Sequence, residues 1–320
     1  MRIEQCGVGG LWPQGVIQRV AWECAGTDSI LGESPWWDQG HARFGWIDVV
    51  GRTVRFATEA ALGKAVDEVA SAVPGFEVVQ LDRAPLCVVS VARSESLLIG
   101  TGRRLASLTP EGSVVPVLQV EPSESPRMRL NDGRCDAAGR LWVSSMAVDL
   151  TPGVGVLYRI GLDRSVTATW RGLTLPNGID WSPDGRRIYL ADSASGWIYI
   201  GDFDVVNGTV GPRSQWLRPP GPGVTDGLCV DSDGNVWVAL WGGAAVLCYS
   251  PAGELLTAIS LPCAHPTSCC FGGADLETLM ITTACVDDAS GLLSAGGRVL
   301  VCNPGKRGRP AVPFAGFQRA

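Results

Sequence analysis

Histidine is nearly absent from this chain: His41 and His265 are the only two among 320 residues. A His-ligated zinc centre or a Ser-His-Asp triad would have to be built on one of them. His41 falls in a predicted turn, His265 stands beside Pro266, and the sequence holds no Gly-x-Ser-x-Gly elbow. Neither a P-loop nor a G-x-G-x-x-G fingerprint occurs, so nucleotide phosphates have no predicted cradle. Positive charge is also scarce. The net charge is −6 and the pI about 5.1, which excludes the basic footprint of a nucleic-acid surface. The short basic stretch Lys306-Arg307-Gly308-Arg309-Pro310 is read as solvated. No apolar run approaches the ~20 residues that a membrane-spanning helix needs. The eleven cysteines are odd in number, irregularly spaced and free of C-x-x-C pairs. They are predicted to be small buried hydrophobes, not a disulfide framework, with the adjacent Cys269 and Cys270 facing opposite sides. The start Met1-Arg2-Ile3-Glu4 lacks the basic and apolar regions of a secretory signal, and a cytoplasmic location is expected.

What is abundant is glycine (41 residues), proline (21) and tryptophan (12). Apolar runs are short and end at Gly, Pro, Asp or Asn, as at residues 88–91, 97–100, 141–144, 188–191, 236–240 and 279–283. Only residues 60–72 come near a helical period, and Gly63 interrupts them. This pattern predicts an all-β protein with strands of about four to seven residues.

The strands repeat. Glu33-Ser34-Pro35, Asn131-Asp132-Gly133, Asn177-Gly178-Ile179 and Asp226-Gly227-Leu228 each open a short strand, an Asp/Gly turn and a second strand. Two more segments, starting near 85 and 268, have this hairpin shape without the polar start. The six starts recur every 42–52 residues, the period of a four-stranded propeller blade. The predicted fold is therefore a six-bladed β-propeller with four-stranded antiparallel blades, occupying residues 16–320. A β-sandwich, the competing fold, would not explain why four units carry Glu, Asn, Asn and Asp at one phase.

Matching positions in a propeller converge on its axis. With each first strand lining the channel, Glu33, Asn177 and Asp226 meet at one end, and Asn131 joins them from the blade between. Crowded carboxylates repel, and a divalent cation relieves them while taking carboxylate and amide oxygens alike. An all-oxygen set suits Ca²⁺, Mg²⁺ or Mn²⁺ best, with Zn²⁺ and Fe²⁺ also admissible. The plainer alternative is that Asn and Asp before Gly only make turns. Arg129 lies two residues before Asn131 and faces the same side of the strand. It is read as a donor to a ligand carbonyl or hydroxyl, the alternative being a channel-lining salt bridge. Trp37, Trp142, Trp181, Trp197 and Trp241 are read as fill between blades in preference to pocket walls.

Taken together, these motifs resemble the SMP-30/gluconolactonase/regucalcin-like family. The matching stretches are Leu31-Gly32-Glu33-Ser34-Pro35-Trp36-Trp37, Arg129-Leu130-Asn131-Asp132-Gly133, Pro176-Asn177-Gly178-Ile179-Asp180-Trp181-Ser182, Asp226-Gly227-Leu228 and Pro266-Thr267-Ser268-Cys269-Cys270-Phe271-Gly272-Gly273. The resemblance implies a six-bladed propeller with one divalent metal, hydrolysing sugar lactones to aldonic acids. It implies Glu33, Asn177 and Asp226 as metal ligands, Arg129 and Asn131 as lactone contacts, and Asp226 also as the acid/base. Asp149 is a further, less closely matched substrate contact. The chain departs from the family at residues 1–15, read as an N-terminal extension that is either disordered or the product of a displaced start. The expected partner is a small sugar lactone, with no nucleic acid or membrane, on a monomer or weak homo-oligomer. A propeller that binds calcium or a regulatory ligand without turnover is the alternative, and an unrelated ester is a third reading.

Overall fold

The structure, a computed structural model, describes residues 16–24, 27–62, 75–122, 127–285 and 296–316. The predicted extension 1–15 lies outside them, as does most of the helical candidate 60–72, of which a short helix Glu59–Leu62 is described. Among the described residues no helix is long and apolar enough to cross a membrane.

Six antiparallel sheets form the molecule. Blade 1 consists of Gly32–Asp38, Arg43–Asp48, Thr53–Thr58 and Phe76–Gln80. Blade 2 is Cys87–Ser90, Leu97–Thr101, Arg104–Leu108 and Val114–Gln119; blade 3 is Met128–Cys135, Leu141–Ala147, Gly155–Ile160 and Val166–Leu173. In blade 4, Pro176–Trp181, Arg187–Asp192 and Trp197–Asp204 are followed by the short strands Thr209–Val210 and Ser214–Leu217, both paired with the third. Blade 5 is Val224–Val230, Val236–Trp241, Ala245–Tyr249 and Leu255–Ser260, and blade 6 is Pro266–Gly272, Thr278–Thr283 and Leu300–Cys302. The first strand of each blade packs against the first strand of the next, and blade 6 returns to blade 1, so the ring closes. The predicted six-bladed propeller is the observed fold.

Closure uses the start of the described chain. Trp22–Glu23 pairs antiparallel with Leu300–Cys302 as the outermost strand of blade 6, and Ile17–Val20 adds a parallel fifth strand to blade 5. Bonding the first segment to the last blade leaves no open seam in the ring.

Apolar residues of both strand faces are consumed between blades. Six core clusters occur, one at each blade–blade interface. Trp142, Trp181 and Phe203 meet edge to face between blades 3 and 4, with centroids 5.6–6.1 Å apart. Trp237 and Phe271 do the same between blades 5 and 6. Each fully buried large side chain of this kind contributes about 1.5–3 kcal/mol by transfer alone. Cys269 enters the cluster of blades 5 and 6 and Cys270 that of blades 6 and 1, as their alternation predicts. Nine of the ten described cysteines are buried.

The basic tail, expected to be solvated, is so at Arg307 but not at Arg309. It runs as a strap across the channel end opposite the candidate site described below. The Arg309 guanidinium donates to Asp180 Oδ1 at 2.7 Å and to the Trp181 and Val230 carbonyls. Phe314, fully buried, enters the core between blades 2 and 3, and the Ala315 N–H bonds to the Gly139 carbonyl. A composition-based reading missed this because one guanidinium found a buried carboxylate from another blade.

Candidate metal centre and substrate cavity

In four blades the ladder between the two innermost strands breaks beside the phase-matched polar residue. The breaks fall between Glu33 and Trp36, Leu130 and Gly133, Pro176 and Ile179, and Thr225 and Leu228. Of the two blades without such a polar residue, blade 2 keeps an unbroken ladder from Cys87 to Ser90 and blade 6 breaks between Pro266 and Ser268. A bulge re-aims side chains out of the regular alternation. Here it turns Asn131, Asn177 and Asp226 toward the axis; Glu33 is the last paired residue before its break. The glycines that follow Asn177 and Asp226 are not turn residues. A Cβ on Gly178 would strike the backbone of Gly227 and Leu228, and one on Gly227 would strike Ser268. They allow adjacent inner strands to approach at the level of the polar ring.

Glu33, Arg129, Asn131, Asn177 and Asp226 all line one cavity of about 350 Å³ at one end of the channel. Asn131 Nδ2 donates to Asn177 Oδ1 at 2.5 Å and to the Pro176 carbonyl at 2.9 Å. Asn177 Nδ2 donates to Ser193 Oγ at 2.6 Å, which leaves the Asn177 carbonyl oxygen directed at its neighbours on the axis. Arg129 Nη1 donates to Asn131 Oδ1 at 2.6 Å and to the Leu130 carbonyl at 3.0 Å. Among the described residues Arg129 makes no ion pair within 4 Å, and its charge acts on Glu33 across the cavity.

Burial, together with the charges of Asp226 and Asp132, holds the Glu33 carboxyl well above the usual range. Burial and Asp132 push Asp226 up as well. Burial also raises Asp132 itself, though Arg134 opposes it. Burial lowers Arg129, and Glu33 partly restores it. Three carboxylates thus crowd a low-dielectric space, and Asp226 accepts no hydrogen bond from a described residue. Such a set is unfavourable alone and suited to a divalent cation. Among the described residues no three His, Cys, Asp or Glu side chains form a metal cluster by themselves. Glu33, Asp226 and the amide oxygen of Asn177 would make a mixed oxygen set, and these residues fit the implied cation.

Two buried aspartates brace the ligand strands from behind. Asp48 accepts hydrogen bonds from the Ile30 and Leu31 N–H groups, just before Glu33. Asp192 accepts from Thr174 and Leu175, just before Asn177. Asp149, by contrast, is exposed and accepts from the Thr151 hydroxyl and N–H at 2.7 and 3.1 Å. Its neighbour Leu150 lines the cavity and Asp149 does not. Among the lining residues given no site role from sequence are Asp132, Ser193 and Trp241. Trp241 stacks on His265 at 4.7 Å and walls the cavity instead of filling between blades.

A larger cavity, about 730 Å³, lies further along the channel and shares Ser34 and Asp132 with the first. Its buried charges are already compensated. Arg134 and Arg309 both reach Asp180 at 2.7 Å. Burial alone would raise Asp180, but the two guanidiniums and two backbone N–H groups bring it below its usual range. The smaller cavity, where Glu33 and Asp226 stay above their usual range despite Arg129, is therefore the candidate site.

The sequence and the fold match those of known proteins. The model of the SMP-30/gluconolactonase/LRE-like region matches residues 31–285. Regucalcin of Gallus gallus is 32% identical over 306 residues, covering 92% of this chain and 98% of that protein. A solved luciferin-regenerating enzyme superposes with a TM-score of 0.83 at 27% identity, covering 92% of this chain and 99% of that one. A calcium-binding protein, regucalcin, from Agrobacterium tumefaciens shares the fold with a TM-score of 0.83 at 24% identity, over 94% of this chain and 99% of its own. The chain belongs to the SMP-30/gluconolactonase/LRE-like family.

Proposed function

We propose that the protein is a divalent-metal-dependent lactone hydrolase of the carboxylic-ester class, with its site in the 350 Å³ cavity. The observation that carries this reading is that one cavity holds the buried Glu33 and Asp226 carboxyls, both held above their usual range, together with the Arg129 guanidinium, which only partly offsets Glu33. Glu33, Asn177 and Asp226 would hold the cation. When bound, it supplies Lewis-acid polarisation of an ester carbonyl. Arg129 and Asn131 orient the ring, Arg129 through the guanidinium nitrogens not used by Leu130 and Asn131. Asp226 takes the proton of the attacking water on its free oxygen and returns it to the ring oxygen. Asp132 keeps negative charge beneath Asp226 and so favours proton uptake there. A cytoplasmic location belongs to this proposal, as does a monomer or weak homo-oligomer. Aldonolactones, opened to aldonic acids, are the substrate group that the family implies.

The regucalcin name of the curated relative favours a second reading, a calcium-binding propeller without turnover. Hydrolysis of a lactone panel by chelated protein, with Ca²⁺, Mg²⁺, Mn²⁺, Zn²⁺ or Fe²⁺ restored singly, separates the two. The hydrolase reading expects metal-restored turnover that falls by about 10²–10⁴-fold in Asp226→Asn. Cation binding with no turnover of any ester would favour the binding protein.

A further inference from the structure

Two residues before each phase-matched polar residue stand Leu31, Arg129, Leu175 and Val224. Alternate residues of an extended strand face one way, and all four line the cavity that holds Glu33, Asn131, Asn177 and Asp226. Leu86 extends this tier from blade 2. Trp241, the register partner of Val224, extends it from blade 5. The collar around the carboxylates is thus one guanidinium in an otherwise apolar ring. A polyhydroxylated ligand needs a partner for every hydroxyl it buries, and each one left unpaired costs about 1–3 kcal/mol. Within that tier only Arg129 carries a hydrogen-bonding side chain aimed at a ligand; the uncharged polar groups elsewhere in the lining are engaged with their neighbours, Asn131 with Asn177, Asn177 with Ser193 and Ser34 with Asp132, and the Asp149 carboxylate is turned to Thr151.

Leu150 is an independent sign. Its φ is +58°, a left-handed conformation that costs a leucine about 1–2 kcal/mol and suits Gly or Asn. It is also 50% exposed, yet it lines the cavity mouth. Neither its backbone nor its burial accounts for a leucine there. Val148 and Val154 on the same loop are exposed as well, as are Ile30 and Val50 beside the cavity residues Leu31 and Val49.

We propose that the substrate is a lactone carrying an alkyl or aryl substituent, with its carbonyl toward the carboxylates and its substituent against the apolar collar and Leu150. The proposal rests on the lactone-hydrolase reading. In the step, the oxygen of water bonds to the acyl carbon and the acyl–ring-oxygen bond breaks. The water proton passes through Asp226 to the ring oxygen, giving a hydroxy acid that releases one proton at neutral pH.

The test compares kcat/KM of cation-loaded protein for δ-valerolactone, δ-octalactone, δ-decalactone and gluconolactone. The expected result is a rise of about fourfold per added methylene until the collar is filled, with δ-decalactone at least about tenfold better than gluconolactone. In Leu150→Asn, which suits the left-handed backbone, the melting temperature holds or rises. The ratio of δ-decalactone to δ-valerolactone efficiency then falls about tenfold, a change that a purely structural role for Leu150 would not produce. Gluconolactone turned over as well as δ-decalactone would overturn the proposal. If no lactone is hydrolysed, the hydrolase reading fails separately. Calorimetric binding of δ-decanolactam against gluconolactam then decides the collar: tighter decanolactam binding upholds it, and equal binding overturns it.

Discussion

Glu33 and Asp226 repel one another in a space that favours neither charge, and this governs the site with and without a cation. Replacing one carboxylate by its isosteric amide relieves the repulsion and removes a ligand together. Glu33→Gln is therefore expected to melt higher than wild type in chelator. Excess cation should raise the wild-type midpoint, by about 2.7 kcal/mol at a hundred times Kd, and leave the variant unmoved. Thermal melts with and without Ca²⁺ check both halves. The two carboxylates and the amides were legible in the sequence because they recur at one phase of a repeat, and Arg129 because it sits two residues from Asn131. Asp132 was not, since its role depends on which way a bulged strand turns it. Trp241 was not either, because a tryptophan at a strand end fills a core or walls a pocket with equal ease.

At the scale of the element, hairpins and their spacing could be read directly, and the breaks in pairing could not. A bulge has no local sequence signature here beyond Asn-Gly and Asp-Gly, which elsewhere mean turns. Their role at Gly178 and Gly227 is the approach of neighbouring blades. Gly178→Ala would push its Cβ into the Gly227 and Leu228 backbone. It should cost roughly 1–3 kcal/mol in urea unfolding, as overpacking does, and weaken cation binding by displacing Asn177 and Asp226. A second element-scale device joins the outer turns of blades 1 and 2. His41 bridges Asp38 at 2.8 Å and Glu95 at 3.0 Å. The Asp38 hydrogen bond and charge, helped by Glu95 and opposed by Arg43, raise the imidazole above its ordinary value. A histidine raised on folding contributes stability that is complete below its unfolded pKa of about 6.5. That stability is lost as pH rises through the higher folded value. The gap in melting temperature between wild type and His41→Gln should thus be widest just below the unfolded pKa of about 6.5 and close as pH rises through the higher folded value. It should stay modest, because exposed pairs are worth under about 1 kcal/mol.

The whole molecule is a ring held by two segments distant in sequence from the blades they fasten. Trp22–Glu23 completes blade 6, and the C-terminal strap ties the channel end beyond the site to several blades. Neither was legible, because both are long-range pairings of short, unremarkably composed stretches. Arg309→Ala leaves Asp180 with Arg134 and two backbone donors. The expected loss is roughly 1–3 kcal/mol by chemical denaturation, below the ~3–5 kcal/mol of a fully broken buried pair. Turnover per folded molecule should be little changed, since the strap closes the channel end away from the carboxylates. The central claim is that those carboxylates form one cation-dependent hydrolytic centre per chain. Initial rates of lactone opening, measured while a divalent cation is titrated into stripped protein at concentrations above Kd, test it most directly. A rate that climbs linearly and breaks at one equivalent per chain is predicted; turnover indifferent to the cation, or absent after a full equivalent is bound, would contradict it.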